Sequence, residues 1–199
     1  MASRLILASR SEIRATLLQD AGITFTAIPA RIDETAILNA MQELEAPPRD
    51  MADTLAEAKA RKVSAKHPEA LVLGCDQVLA LRDEVFQKPN SQDEAIEQLA
   101  KLAGKTHHLL SAVVVCQNAE PLWRHVALVR MHMVELSNTQ IKRYVEHHWH
   151  DVRDAVGGYK IEKSGVNLFQ RIEGDYFSVL GLPLLELLGF LRSKGNTPL

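Results

Sequence analysis

Cysteine is scarce: only Cys75 and Cys116 occur in 199 residues, and both sit in apolar, strand-like runs. That leaves no disulfide framework, and the pair reads as reduced core thiols of a cytoplasmic protein. A basic tract is also missing. Lys plus Arg (23) against Asp plus Glu (25) gives a formal net charge of -2, which argues against a protein that wraps nucleic-acid backbone. Long hydrophobic runs are absent too. The apolar run over 1–8 is too short for a signal peptide and passes straight into a strand. The apolar region 179–191 is broken by Pro183, Glu186 and two glycines, so no membrane span is expected. Neither G-x-x-x-x-G-K-[ST] nor G-x-G-x-x-G occurs, which takes most of the weight from P-loop and Rossmann readings. There is no internal repeat and no low-complexity segment.

What is present suffices for a core. With 46% apolar residues, a chain of this length forms one domain or two closely packed lobes. A first strand is expected over 5–8. Ser11 caps a helix that runs to about Ala21 and stops at Gly22. A second strand covers 25–30, and a helix over about 51–66 is ended by His67-Pro68. The run 70–81 reads as a strand covered on both faces. Ser91-Gln92-Asp93-Glu94 is a capping box for a helix closed by Gly104. Strands over 107–117 and 123–134 form a hairpin, and Ser137-Asn138-Thr139-Gln140 opens a helix through about His147. A Gly157-Gly158 turn, a strand over 167–172 and a last helix over 184–193 complete the chain. Helices interleaved with strands predict a mixed α/β sheet. We read 1–199 as a single domain whose lobes are roughly 1–89 plus the C-terminal helix, and 90–180, with a boundary at 87–91.

The most informative segment is Gly74-Cys75-Asp76-Gln77-Val78-Leu79. Alternation puts Asp76 on one face with Val72, Gly74, Val78 and Ala80. An ionised carboxylate there is costly unless a cation, a metal or hydrogen-bond donors compensate it. It is either a structural Asp satisfied internally or a catalytic base or metal ligand. Three cations are candidates to answer it. Lys59 lies in the apolar stripe Ala52, Leu55, Ala56, Val63, where a lysine more often snorkels to solvent. Arg14 shares a stripe with Leu17, Leu18 and Ala21, one turn into a helix whose N-terminus follows Ser9 and Ser11, a ready anion site. Lys88 precedes Pro89 in a connecting loop. Together with Asp76, Asp33 and Glu34 they make the mixture that a metal–polyphosphate substrate needs. Cys75 falls on the opposite face from Asp76 and reads as a small core residue. His147, His148 and His150 lack strong ligand spacing and read as a solvated helix end, and His107 and His108 are read the same way.

Six short blocks recur in order: Leu5-Ile6-Leu7-Ala8-Ser9-Arg10-Ser11, Ile32-Asp33-Glu34, Leu55-Ala56-Glu57-Ala58-Lys59-Ala60, Gly74-Cys75-Asp76-Gln77-Val78, Lys88-Pro89 and Gly181-Leu182-Pro183-Leu184. This chain resembles the Maf family of nucleoside triphosphate pyrophosphatases over essentially its whole length. The resemblance implies an elongated, mixed twisted sheet in two lobes with a nucleotide cleft, similar to the inosine triphosphate pyrophosphatase fold, and a homodimer. It implies hydrolysis between the α- and β-phosphates, with a divalent cation, Mg²⁺ or Mn²⁺, giving a nucleoside monophosphate and pyrophosphate. It assigns Asp76 as proton acceptor, Ser9, Arg14, Lys59 and Lys88 to phosphate binding, Glu34 with Asp76 to the metal, and Ile13, Gln77 and Glu162 to substrate specificity.

The chain departs from the family at Ser11-Glu12-Ile13-Arg14, where Ser-Pro-Arg-Arg is usual; one arginine and the helix-initiating proline are lost. The dTTP/UTP-specific branch carries Arg, Thr and Gln at the three specificity positions, and none is present. The branch similar to 7-methyl-GTP pyrophosphatase carries Trp, Gln and Glu; Gln77 and Glu162 match it and Ile13 does not. A carboxylate such as Glu162 suits the N–H edge and positive ring of an N7-methylated guanine. Tyr159 either lines the same pocket or is a core or interface aromatic. The expected function is a housecleaning hydrolase acting on modified nucleotides such as 7-methyl-GTP. The alternatives are a nucleotide-binding regulator of septum formation and cell division, and a structural α/β module with internal ion pairs.

Overall fold

A computed structural model describes residues 4–197. The elements in chain order are β1 (Leu5–Leu7), α1 (Glu12–Asp20), β2 (Thr26–Ala27), α2 (Glu34–Glu43), α3 (Pro48–Ser64), β3 (Leu71–Leu81), β4 (Glu84–Phe86), α4 (Gln92–Leu102), β5 (Thr106–Gln117), β6 (Glu120–Met133), α5 (Asn138–Val152), β7 (Phe169–Glu173), α6 (Tyr176–Val179) and α7 (Leu184–Ser193). The strands form a seven-stranded mixed sheet of order β2-β1-β3-β5-β6-β7, with β4 paired to β3. The expected mixed α/β architecture is what the chain adopts. Two compact units share it: one takes the chain up to Gln77, Leu110–Ala127 and the segment from Asp175, the other Val78–Leu109 and Leu128–Gly174. No helix among the described residues is long and apolar enough to cross a membrane.

In the first unit β2, β1 and β3 run parallel, with Ile6 opposite Thr26 and Leu5, Ile6 and Leu7 opposite Leu71, Val72 and Leu73. Alternation along β3 splits its neighbours. Leu71, Leu73 and Cys75 join Leu5, Leu7, Val113 and Val115 under α1 and α7, whose Leu17, Leu18, Leu184, Leu187 and Leu191 are buried at helical spacing. Val72 joins Ile6, Ala8, Val63 and Ala70 on the other face, against α3. Each fully buried leucine contributes about 1.5–3 kcal/mol of transfer free energy, so both faces of β3 are held firmly. Trp123 stacks on Phe190 at 5.3 Å between ring centroids.

The second unit is built around α4 and α5, with buried Leu99, Leu102, Ile141, Val145, Met131 and Met133. Gly157 and Gly158 both have positive φ, and a Cβ on Gly157 would lie 2.6 Å from Leu79 Cδ1; the turn between α5 and β7 therefore needs glycine there. The Ser137–Gln140 capping box has both of its bonds. The Ser91 box is half-formed: Ser91 Oγ accepts from Glu94 N at 3.1 Å, but Glu94 Oε2 accepts from Asn90 N at 2.8 Å rather than from Ser91.

Several boundaries move. The second strand shrinks to two residues, α3 starts at Pro48 with a proline in its first turn, and α5 continues to Val152. Helix α2 and strand β4 were not expected. No residue of α2 is buried, but Ile37, Leu38 and Met41 are partly covered and recur at helical spacing, so its apolar stripe was legible in the sequence; the helix is capped by Asp33, whose Oδ1 accepts from Ala36 N at 3.0 Å. Strand β4 is three residues long and follows a turn with Arg82 at φ 57°, too short for a period to show.

Candidate active site

Asp76 reaches its surroundings through a glycine two residues earlier. A Cβ on Gly74 would lie 2.0 Å from Ala56 O and 2.6 Å from Ala60 N, so α3 lies on β3 at a distance only glycine allows. Ala56 and Ala60 are the small residues that match it, and Lys59, between them in sequence, is carried onto Asp76. Lys59 Nζ is 2.5 Å from Asp76 Oδ1 and 3.0 Å from Glu34 Oε1. The Lys59 and Asp76 side chains are 9% and 10% exposed, against 50% for Glu34. Lys59 does not snorkel: its ammonium is the internal cation that the buried carboxylate requires.

Burial pushes the Asp76 carboxyl above its ordinary value, and Lys59 and Arg14 offset that only in part, with Glu34 adding to the rise. A carboxylate held this way takes a proton more readily than a solvated one, as a general base must. Cys75, on the other face, is driven up to about 11 by burial and stays a thiol, in agreement with its reading as a core residue.

Arg14 is anchored in the same unit from two sides. Its Nε donates to Gly181 O at 2.8 Å and its Nη1 to Cys75 O at 2.9 Å and Ser9 Oγ at 3.4 Å. Nη2 donates to no described residue. Ser9 Oγ also accepts from Ser11 N at 3.2 Å, so both of its bonds use lone pairs and its O–H remains a donor. Ser9 is the second residue past the carboxyl end of β1, and Asp76 lies beyond the stretch of β3 that pairs with β1. The carboxyl ends of parallel strands are where open α/β sheets bind ligands.

Gln77 turns to the opposite face from Asp76. Its Nε2 donates to Ser111 Oγ at 2.9 Å, Val179 O at 3.0 Å and Ser178 O at 3.2 Å. The segment 178–181 thus holds Gln77 with two carbonyls and Arg14 with a third, which gives the Gly181-Leu182-Pro183 block a physical role. Gly181 has φ 88°, and a Cβ there would be 3.0 Å from Arg14 Nη2. Ser111 escaped the sequence reading; its only signal was a hydroxyl within the apolar run of β5.

Ile13 is partly buried against the core around Leu17 and Leu18. Lys88 and Glu162 belong to the second unit, where both are exposed. Tyr159, in that unit, is buried and its hydroxyl is 2.8 Å from His107 Nε2. His107 is fully buried, not part of a solvated patch. His147 and His150 are exposed, and His147 Nδ1 lies 2.7 Å from Arg143 O.

Among the described residues no three His, Cys, Asp or Glu side chains converge as a metal cluster. Two carboxylates do converge, since oxygens of Asp76 and Glu34 lie within 3.0 Å of one cationic nitrogen. Two carboxylates fit a hard cation of the Mg²⁺ type, which completes its shell with water and substrate phosphate oxygens.

The family description "Maf-like protein" matches residues 4–194. A nucleoside triphosphate pyrophosphatase of Roseobacter denitrificans is 52% identical over 198 residues, covering 100% of both chains. One of the same name from Ruegeria pomeroyi is 52% identical over 191 residues, or 96% of each chain. A 7-methyl-GTP pyrophosphatase of Brucella abortus is 47% identical over 194 residues, 98% of each chain. Matches of this identity along their full length, with a family description spanning nearly the whole sequence, mean that this chain belongs to the Maf family.

Proposed function

We propose that the protein hydrolyses nucleoside triphosphates at the bond between the α- and β-phosphates, releasing a nucleoside monophosphate and pyrophosphate. The observation that carries this reading is the buried Asp76–Lys59 pair beside Glu34, in the same unit as an arginine and a serine with unused donors. Water adds to a phosphorus of the anhydride, the bridging P–O bond breaks, pyrophosphate leaves, and the proton lost by the water goes to Asp76. Asp76 Oδ1 is engaged by Lys59, so Oδ2 is the atom that takes it. Arg14 Nη2, the Ser9 hydroxyl and the Lys59 ammonium bind phosphate oxygens, and each charge-assisted bond is worth about 1.5–3 kcal/mol. Lys88 is a further phosphate cation.

Glu34 and Asp76 are the residues that would hold a divalent cation, Mg²⁺ or Mn²⁺. When bound it would neutralise phosphate charge and acidify the attacking water. The Lys59 ammonium has three N–H donors; Asp76 and Glu34 take two, and the third would meet a phosphate oxygen.

The preferred base in this reading is a modified guanine such as 7-methyl-GTP. Its support is the relatives of that name at 47% identity together with Gln77 and Glu162. Ile13 offers no aromatic stacking surface, so the preference is looser than a tryptophan would give, by a contact of roughly 0.5–2 kcal/mol. We place the enzyme in the cytoplasm, as two buried unpaired thiols suggest, and read it as a homodimer that acts on free nucleotides rather than nucleic acid. The test is pyrophosphate release from 7-methyl-GTP, GTP, UTP and dTTP with and without Mg²⁺, with light scattering for the oligomeric state. No release from any of them sinks the reading. Faster cleavage of UTP or dTTP than of 7-methyl-GTP sinks the base assignment alone.

A further inference from the structure

The amide of Gln77 has one orientation, and the groups around it say which. Ser178 O and Val179 O can only accept, at 3.2 and 3.0 Å. The third neighbour, Ser111 Oγ, donates its single hydrogen to Ser178 O at 2.7 Å and so meets Gln77 with a lone pair. All three neighbours of Nε2 therefore accept, and turning the carbonyl oxygen of Gln77 into that place would set oxygen against oxygen. Both amide hydrogens are used inside the unit. The carbonyl oxygen Oε1 accepts from no described residue, and the side chain is partly exposed. Ser111 itself is fully buried in β5, so the clamp is part of the core.

A glutamine free to flip reads donors and acceptors alike. This one can offer only an acceptor. From this geometry we infer that Ser111 is a positioning residue for base selection. Together with the carbonyls of Ser178 and Val179 it clamps Gln77 as a pure acceptor, which selects bases whose ring nitrogen carries a hydrogen, as in 6-oxopurines (N1–H) and in uracil or thymine (N3–H). Adenine and cytosine present a lone pair at the corresponding nitrogen and are disfavoured. The inference rests on the pyrophosphatase reading and deepens it, since it names the base class and a residue outside the substrate contacts that enforces it.

The experiment measures kcat/KM for GTP, ATP, UTP and CTP on the wild type, Ser111→Ala, Ser111→Thr, Gln77→Met and the Ser111→Ala/Gln77→Met pair. Wild type is expected to prefer GTP over ATP and UTP over CTP. Ser111→Ala should lower both ratios by about five- to tenfold, the size of one hydrogen bond's contribution, mostly through a higher KM for the oxo bases. Ser111→Thr, which keeps the hydroxyl, should restore them. Adding Ser111→Ala to Gln77→Met should change the ratios no further, because Ser111 acts through Gln77. Equal losses on all four nucleotides, or the same loss in the Gln77→Met background, would make Ser111 a purely structural residue and overturn the inference. Gln77→Met with wild-type ratios overturns it even if Ser111→Ala does not fold. Failure of the underlying reading looks different: the wild type would release no pyrophosphate from any nucleotide.

Discussion

Lys59 Nζ stands 2.5 Å from Asp76 Oδ1, and both side chains are about nine-tenths covered. Breaking such a pair from one side leaves an uncompensated charge, and the two sides are not equivalent. Asp76 can protonate and become neutral at moderate cost. Lys59 keeps a second carboxylate, Glu34, when Asp76 is lost.

Asp76→Asn should therefore fold, because Glu34 still neutralises Lys59 and the amide matches the carboxylate in shape. It should lose hydrolysis by about 10²–10⁴-fold, the usual size of a general-base contribution. Pyrophosphate assays beside thermal melts check this. A folded variant with wild-type turnover removes Asp76 from the mechanism.

The two lysines should separate. Lys88 is exposed, so Lys88→Ala is expected to raise KM for triphosphates with its melting temperature unchanged. Lys59→Ala should weaken both function and stability, since it strips the buried Asp76 of its partner, a change that costs up to about 3–5 kcal/mol when no rearrangement relieves it. Denaturant unfolding of the two variants side by side makes the comparison. Identical stability would place Lys59 at the surface.

Gly74→Ala adds one methyl group where Ala56 O would lie 2.0 Å away. Backbone must move, and overpacking of this kind typically costs about 1–3 kcal/mol. Because α3 also carries Lys59, the variant should lose catalytic rate along with stability. Full activity in a destabilised variant would show that α3 can shift without disturbing the ion pair.

A fourth expectation concerns acid. His107 is fully buried against Tyr159, and burial, with smaller effects of His108 and His132, lowers it to about 4. Its unfolded value is about 6.5. Between these values the unfolded chain binds more protons than the folded one, so this group's contribution to stability is lost as pH falls from about 6.5 toward 4. The loss amounts to about 3 kcal/mol at most. Urea titrations across that range should steepen accordingly in the wild type and flatten in His107→Gln. An unchanged pH dependence in the variant would assign the acid sensitivity to other groups.

Local chemistry in the chain was enough to determine much of this protein. Ser11, Ser91 and Ser137 cap helices as their neighbours dictate, and the limits of α7 are those its apolar spacing predicts. A carboxylate in a two-faced apolar strand singled out Asp76, since burying that charge demands compensation wherever the strand lies. The order of short blocks pointed to the family. Which cation compensates Asp76, however, was open among Arg14, Lys59 and Lys88, because sequence spacing fixes which face a side chain leaves but not what meets it. Only tertiary structure decided for Lys59, through the contact of Gly74 with Ala56 and Ala60 some fifteen residues away in the chain. The same holds for Gln77. Its polarity as an acceptor depends on Ser111 and on carbonyls of 178 and 179, about a hundred residues distant, and hydrogen bonds between such remote groups exist only once the chain has folded.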